Sequence, residues 1–341
     1  MVTSNELTIT DVAKASGVSV STVSRILNGK QDVAKATREH VLQVIDELGY
    51  APHAQAQSLR AGKTRNLGLL FPLKDPGNVP YNSLDIEFIV SAAAAAEKQN
   101  FFFSLLTASV TEQSLLNLYR SAQIDGLVLM QVYSEDWRVD LLRKNGYPFV
   151  MIGHTENNEG LSFIDLDFKG AVIAAFEHLI RQGYRQIAFI SLPNKMRQEG
   201  YGPALRTWEG YQRIIEQYHI PAIYREVNFG RQEAFDATLA LLDEVHDLSA
   251  IITTHADGAL SIIQALNERG MRIPDDCSVI ALTANRMAEL TTPTLTNLDF
   301  PAHDMGDRAV DMLLRMLRNE LTEPEQVLIP PKLILRNSTN L

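Results

Sequence analysis

From Leu67 to about residue 282, short apolar runs alternate with longer amphipathic stretches, and this alternation constrains the fold more than any other feature of the chain. Apolar runs are typical of buried strands, and apolar residues three and four positions apart are typical of helices. The predicted strands are 67–71, 102–106, 126–132 and 149–153, then 163–166, 187–191, 223–227, 250–254 and 279–282. The predicted helices are 84–99, 111–121, 136–145, 168–181, 206–218, 231–244 and 258–269. The repeated strand–helix order predicts an α/β body with two doubly wound parallel sheets, which bind ligands at the carboxyl ends of their strands.

The first 63 residues follow a different pattern, of three short helices. Thr8 and Asp11 have capping-box spacing and introduce a first helix that ends near Gly17. Ser19 caps a second helix over 20–27, and a third is predicted over 36–48. The head is therefore predicted to be all-α, with one tight turn between its first two helices.

The second helix has a core side and a small polar side. Val23, Ile26 and Leu27 are spaced to face inward, whereas the outward positions are those of Val20, Ser21, Ser24 and Arg25. A helix-turn-helix needs a small residue in its turn and a slim second helix that enters the major groove, which is about 12 Å wide. The pattern meets that requirement, although the same residues would also suit the plain surface of a helical hairpin.

Charge is unevenly distributed along the 341 residues, whose formal net charge is −10. Residues 1–63 contain seven basic and six acidic side chains, a net of +1, so the remainder carries −11. A head spared of negative charge is able to approach a polyanion that an acidic body repels. Small segments also fluctuate around zero, so charge alone leaves both interpretations open.

Several classes of protein are disfavoured by what the sequence lacks. A single cysteine, Cys277, excludes an intramolecular disulfide framework and fits a reducing cytoplasm. The polar start predicts no signal peptide, and no apolar run approaches the roughly 18 residues of a membrane span. The common catalytic and nucleotide-binding motifs are missing and the histidines are scattered, so we expect a cytoplasmic protein that is not an enzyme and holds no metal or cofactor.

Segments 8–29, 47–53 and 58–64 together closely resemble the headpiece and hinge of the lactose-repressor (LacI/GalR) family of bacterial transcription regulators. The resemblance implies base contacts from Val20, Ser21 and Arg25, and phosphate contacts from Thr8, Thr22 and Ser24. The full set of DNA-binding residues that it implies is Thr8, Ser19, Val20, Ser21, Thr22, Ser24, Arg25, Asn28, His53, Gln57 and Leu59.

The same resemblance implies a linker helix over 53–61 that is ordered only when paired with its twin on DNA, with Leu59 wedged into the minor groove. A helix this short is unstable alone in water, and an apolar wedge is able to kink a duplex. A plain amphipathic linker with a buried leucine is the alternative. Ala34 stands where the family usually has a serine cap, which we expect to weaken the third helix.

The body resembles the periplasmic-binding-protein-like effector domain of that family, notably in 270–280, 292–297 and 331–338. The resemblance implies three crossings between two subdomains, near 163, 296 and 327, on which the cleft closes. The expected organisation is a headpiece (1–51), a hinge (52–63), an N-subdomain (64–163 and 297–326) and a C-subdomain (164–296 and 327–341).

Candidate effector-binding residues lie just past the predicted strand ends, where planar hydrogen-bonding groups and aromatic faces suit a sugar. They are Tyr81, Asn82, His154, Ser191, Arg206, Trp208, His255, Asp257 and Asn285, with Gln131 as a further candidate. For each of them a purely structural role is an equal alternative.

Three polar positions depart from the family pattern. Thr207 replaces a common arginine, His255-Ala256 replaces Asn-Asp, and Thr283-Ala284 replaces Asp-Asp. We therefore expect an effector other than the simple monosaccharides, galactosides or purines that many members bind.

Together these features predict a ligand-responsive regulator, a repressor of carbohydrate uptake or catabolism genes. Its expected partners are double-stranded operator DNA, a sugar or sugar derivative, and a second copy of the chain, in a homodimer or tetramer, with no membrane. The alternatives are a cytoplasmic solute-binding protein and a sugar-modifying protein. The sequence does not choose between an inducer, a corepressor and a partner protein as the effector.

Overall fold

The computed structural model describes residues 7–27, 30, 32–50, 64–71, 83–228 and 230–340. The chain divides into two compact units, Met1–Thr64 and Arg65–Leu341.

The first unit contains three helices: α1 (Ile9–Ser16), α2 (Val20–Leu27) and α3 (Lys35–Leu48). The backbone N–H and the hydroxyl of Thr8 both donate to the Asp11 carboxylate, at 2.8 and 2.7 Å, and so fix the first turn of α1. Gly17 ends α1 with φ +70°, a left-handed conformation that glycine adopts without a steric cost. The chain can therefore turn sharply into α2.

Side chains from all three helices form the core of this unit. Val12, Val23 and Val41 are fully buried, and Ile26 and Tyr50 pack around them. Leu27 also packs against this core, so the inward face predicted for α2 is confirmed, but Val20, predicted to face outward, packs against the core as well. Ala34 stands at the N-cap of α3 without a side-chain cap, as its departure from the family pattern predicts.

The second unit contains two six-stranded sheets. The first sheet, in spatial order, consists of β11 (Gln326–Ile329), β5 (Phe163–Leu166), β4 (Phe149–Ile152), β3 (Gly126–Leu129), β1 (Asn66–Leu70) and β2 (Phe102–Leu106), all parallel. The second consists of β12 (Leu333–Ile334), β10 (Thr296–Asp299), β9 (Ser278–Thr283), β8 (Ala250–Thr253), β6 (Ile187–Ser191) and β7 (Ile223–Glu226), with only β12 antiparallel. The predicted pair of doubly wound sheets is confirmed.

Ten helices connect and cover these strands within the described residues. They are α4 (Ser83–Lys98), α5 (Glu112–Arg120), α6 (Trp137–Asn145), α7 (Phe168–Arg181), α8 (Asn194–Gln198), α9 (Gly202–Tyr218), α10 (Arg231–Glu244), α11 (Gly258–Glu268), α12 (Asn285–Glu289) and α13 (Ala302–Leu317).

The strand pairings locate the three crossings between subdomains. β5 and β11 pair with each other in the first sheet, whereas β10 pairs with β9 in the second. The chain therefore crosses after Leu166, Asp299 and Ile329, a few residues later than the boundaries expected near 163, 296 and 327. The difference arises because a strand stays with its sheet to the end of its hydrogen-bond ladder, and the sequence pattern does not show which strands pair.

Two helix pairs approach closely because a glycine stands at each contact. A Cβ added to Gly210 in α9 would lie 2.6 Å from the Lys169 carbonyl oxygen in α7. A Cβ added to Gly306 in α13 would lie 2.7 Å from the Phe88 carbonyl oxygen in α4. Backbone atoms cannot move aside as a flexible side chain can, so each helix pair depends on its glycine.

Gly210→Ala should therefore destabilise the second unit by about 1–3 kcal/mol, the usual cost of overpacking a close contact. Gly230→Ala is the matched control, because its added Cβ would meet Glu233 at an ordinary 3.7 Å. Urea unfolding of both variants measures the difference. Equal free energies of unfolding would show that the α7–α9 approach does not require glycine.

Candidate nucleic-acid interface and ligand cleft

The start of α2 presents small polar side chains to solvent. The Ser19 Oγ accepts the backbone N–H of Thr22 at 3.2 Å and lies 2.8 Å from the hydroxyls of Ser21 and Thr22. Ser19 and Ser21 are exposed, and Val20, Thr22 and Ser24 are half-buried. The N-terminal end of α2 is therefore slim, and hydrogen bonds between hydroxyl groups stabilise its first turn.

Arg25 is the exposed cation of this helix. Its guanidinium lies 3.4 Å from the Asp32 carboxylate, and the two side chains are 61% and 56% exposed. An ion pair this exposed contributes about 0–1 kcal/mol, so another acceptor can displace Asp32 at little cost. The guanidinium fork matches the two acceptors on the major-groove edge of guanine.

A cavity of about 110 Å³ lies between the carboxyl ends of the two sheets. Its wall is formed by Leu84, Asp85, Phe88, Met130, Gln131, Val132, Ile152, Gly153, Asp165, Phe168, Leu192, Tyr201, Pro203, Thr254, Leu282, Phe300 and Met305. Both sheets contribute, and the position is the one that the doubly wound topology predicts.

A buried polar cluster joins the two halves beside this cavity. The His154 Nδ1 lies 2.7 Å from the Asp165 Oδ2, and both residues belong to the first half. Arg206 of α9 donates from Nη2 to the His154 carbonyl oxygen at 2.7 Å, and its Nη1 lies 3.5 Å from the Asp165 carboxylate. Burial lowers the pKa of Arg206, and the Asp165 charge partly offsets this effect.

Backbone hydrogen bonds also connect the two halves beside the cavity. The Ser134 N–H donates to the Gly200 carbonyl oxygen at 2.7 Å, and the Gly202 N–H donates to the Val132 carbonyl oxygen at 3.3 Å. The halves therefore meet through polar bonds at the edge of the cavity, beside an apolar cluster that includes residues of both sheets.

Sequence comparison matches two parts of the chain to known families. Residues 8–53 match bacterial regulatory proteins of the lacI family, and residues 176–339 match the periplasmic binding protein-like domain. Catabolite control protein A of Priestia megaterium is 30% identical over 339 residues, which cover 98% of this chain and 99% of that protein. The chain belongs to the lacI family.

Two further similarities extend along almost the whole length of this lacI-family regulator. The ribose operon repressor of Halalkalibacterium halodurans is 28% identical over 339 residues, covering 97% of each chain. The solved structure of the lac repressor dimer bound to operator and the anti-inducer ONPF has a TM-score of 0.86 and 21% identity, covering 99% of this chain and 100% of that one. This last likeness supports the fold alone. None of the helices in the described ranges combines the length and the hydropathy of a membrane-spanning segment.

The predicted DNA-binding residues of this family member lie on one unit where the structure describes them. Thr8 is exposed at the start of α1, and Ser19 to Arg25 lie at the turn and along α2. The positions of Asn28, His53, Gln57 and Leu59 lie outside the described residues, so their roles stay predictions.

The predicted effector residues do not all lie at the cavity. Tyr81 and Asn82 lie outside the described residues. His154 and Arg206 line an adjoining polar pocket, and Gln131 lines the cavity itself. The remaining five, Ser191, Trp208, His255, Asp257 and Asn285, are not among the residues that form the cavity wall.

Side-chain contacts explain several of these placements. The rings of Tyr211 and Tyr224 pack against Trp208, and the Arg197 guanidinium lies 4.0 Å from the Trp208 ring. Asn285 accepts hydrogen bonds from Asn297 and Arg336 within the second half. Trp208 and Asn285 are therefore engaged in contacts within the second half.

Sequence reasoning missed Asp85, Asp165, Tyr201 and Thr254 of the cavity wall. Asp165 and Thr254 could have been found, because they are the penultimate and the last residue of predicted strands. Asp85 could not, because it belongs to a helix, and no strand-end rule selects it.

Burial lowers the pKa of His255 to about 4, against its ordinary 6.5, with only partial offset from the Ser191 backbone and Glu233. His255 is therefore neutral at pH 7. In the unfolded chain, His255 is protonated as the pH falls below about 6.5. In the folded chain, it is not protonated until the pH reaches about 4.

Folding stability should therefore fall by about 3 kcal/mol on account of His255 as the pH drops from about 6.5 to 4. His255→Gln should lose this part of the pH dependence, whereas His246→Gln, an exposed control, should keep it. Chemical unfolding at a series of pH values tests the difference. Parallel curves for the His255 variant and the unchanged chain would contradict the burial argument.

Proposed function

We propose that this lacI-family regulator is a ligand-responsive repressor that binds a palindromic operator as a homodimer. We place it in the cytoplasm, without enzymatic activity, and its genes in carbohydrate uptake or catabolism. The observation that carries the proposal is the slim, hydroxyl-rich start of α2 with an exposed arginine one turn later.

The chemistry of α2 supports base reading. Serine and threonine hydroxyls are able to donate or accept, and they take up little space in a groove. A bidentate arginine–guanine pair contributes about 1–3 kcal/mol of discrimination against the wrong base. The weak Arg25–Asp32 pair leaves the guanidinium free to exchange partners.

Exposed apolar side chains support self-association of the second unit. Ile86 and Val90 in α4 are 51% and 59% exposed, and lie four residues apart on one side of the helix. Phe102 in the neighbouring edge strand β2 is 67% exposed. A twofold dimer covers such a face with its own copy, and its symmetry matches a palindromic operator.

The cleft supports control by a small molecule. A ligand that contacts both sheets binds the closed arrangement better than an open one, and shifts the equilibrium by its difference in affinity. A relative named for the ribose operon supports a sugar or sugar derivative as the effector.

The operator for this test is a duplex that the unchanged full-length chain selects from a random library. Arg25→Ala should weaken binding to this duplex by about 1–3 kcal/mol, which is about five- to 150-fold in affinity. Arg25→Lys should also weaken it, because an ammonium lacks the planar fork. Arg272→Ala removes the same charge from an exposed site in the body and serves as the control. Equal operator affinity at fixed salt for the Arg25 variants and the unchanged chain would refute the assignment of α2.

Val90→Asp should dissociate the dimer, because it places a charge on the apolar face of α4. Leu335→Asp, at an exposed apolar residue of the second half, is the control. Sedimentation equilibrium compares the two variants. If the Val90 variant is dimeric at the same protein concentration as the unchanged chain, the dimer interface lies elsewhere.

A further inference from the structure

A carboxylate lies beside the cation of the helix that is expected to read bases. Arg25 is the one charged residue of α2, and its Nη1 lies 3.4 Å from the Asp32 Oδ2. Both side chains are more than half exposed, so they belong to the same surface of the first unit. Phosphate groups repel a carboxylate, and Asp32 therefore weakens general attraction to DNA at this surface.

The loop that carries Asp32 is anchored to the rest of the unit. The Lys30 N–H donates to the Arg25 carbonyl oxygen at 3.0 Å, so the chain folds back onto the end of α2. Arg38 of α3 donates from Nη2 to the Lys30 carbonyl oxygen, and Val33 packs against the core of the unit. Contacts on both sides of Asp32 therefore hold its backbone close to Arg25.

The ion pair leaves much of the guanidinium available. A guanidinium carries several N–H donors in a rigid plane, and the contact with Asp32 uses Nη1. Two donors on another edge are enough for the O6 and N7 acceptors of a guanine. An arginine side chain loses much rotational freedom on binding, and a partner that restricts it beforehand reduces that loss. Arg25 is therefore able to bind a guanine while Asp32 orients its fork.

The strength of this pair depends on the surrounding water. In the free protein the pair is exposed and exchanges readily. Within a protein–DNA interface less water separates the two charges, and their attraction is stronger.

Bases other than guanine do not offer two acceptors on the same major-groove edge. At such a base, a guanidinium that turns away to a phosphate leaves the Asp32 carboxylate without a cation in a negative environment. The carboxylate therefore penalises an incorrect sequence more than the correct one.

We propose that Asp32 is a positioning residue for base reading, which orients the Arg25 fork towards guanine and disfavours other bases. The inference rests on the proposed role of α2 in operator binding. It adds a residue outside the helix to those that determine which sequence the regulator binds.

Binding titrations with the full-length chain test this role. The probes are the selected duplex and the duplexes that carry each other base pair at the position where Arg25→Ala loses its preference. Asp32→Asn should reduce the preference for guanine at this position at least about fivefold, because the fork loses its orientation. A variant that keeps the preference of the unchanged chain, or that changes the affinity for all these duplexes equally, would overturn the proposal.

A double-mutant cycle separates positioning from a general effect of charge. In the Arg25→Ala background, Asp32→Asn should cause no further loss of base preference, because the two residues act through one contact. Asp46→Asn removes the same charge from an exposed position in α3 and is the control. An equal loss of preference in the Asp46 variant, or a further loss in the double variant, would contradict a role through Arg25.

The outcomes of these titrations separate this inference from the proposed function. If the chain selects no duplex, or if Arg25→Ala changes no base preference, the assignment of α2 fails and the role of Asp32 fails with it. If Arg25→Ala loses a base preference that Asp32→Asn keeps, the assignment of α2 stands and only the role of Asp32 is refuted.

Discussion

The three crossings between the two sheets constrain how the body of this regulator is able to move. Because the chain passes from one sheet to the other after Leu166, Asp299 and Ile329, the halves can rotate about these points but cannot slide apart. Asp165 lies beside the first crossing and binds His154 on its own side of the cleft, while Arg206 reaches it from the other. The hinge and the polar edge of the cavity are thus neighbours along the chain.

Polar bonds at the cleft edge accompany apolar packing between the halves, which includes the Tyr133 and Tyr201 rings, 5.9 Å apart. The Ser134–Gly200 and Arg206–His154 bonds exchange with water when the halves separate. The first contributes about 0.5–1.5 kcal/mol net and the second, whose donor is charged, about 1.5–3 kcal/mol. A ligand shifts this equilibrium only by its difference in affinity between the two arrangements. In contrast, the glycine-mediated helix contacts at Gly210 and Gly306 lie within the halves and keep each one rigid.

Periodicity predicted most of the fold, because buried strands and amphipathic helices have strong patterns. It missed β10, β11 and β12. The side chains of β11 and β12 are half-buried or exposed, and their short runs resemble loops. The family pattern located the head and the cleft but not the side chains that line the cavity. Trp208 shows why: its contacts with Tyr211 and Tyr224 depend on tertiary packing that residue spacing along one helix does not reveal.

The central claim is that the geometry of the cleft controls DNA binding, and a reversible cross-link tests it without knowledge of the effector. A Cβ at Gly200 would lie 3.8 Å from the Ser134 Cβ, a separation that suits a disulfide, and the one natural cysteine, Cys277, is buried. Operator affinity of the full-length Ser134→Cys/Gly200→Cys variant is measured oxidised and reduced, with Ser134→Cys alone as the control. We predict a change of at least about tenfold, or about 1.4 kcal/mol, in the double variant only. Equal affinity in the two redox states of a fully cross-linked sample would contradict the claim.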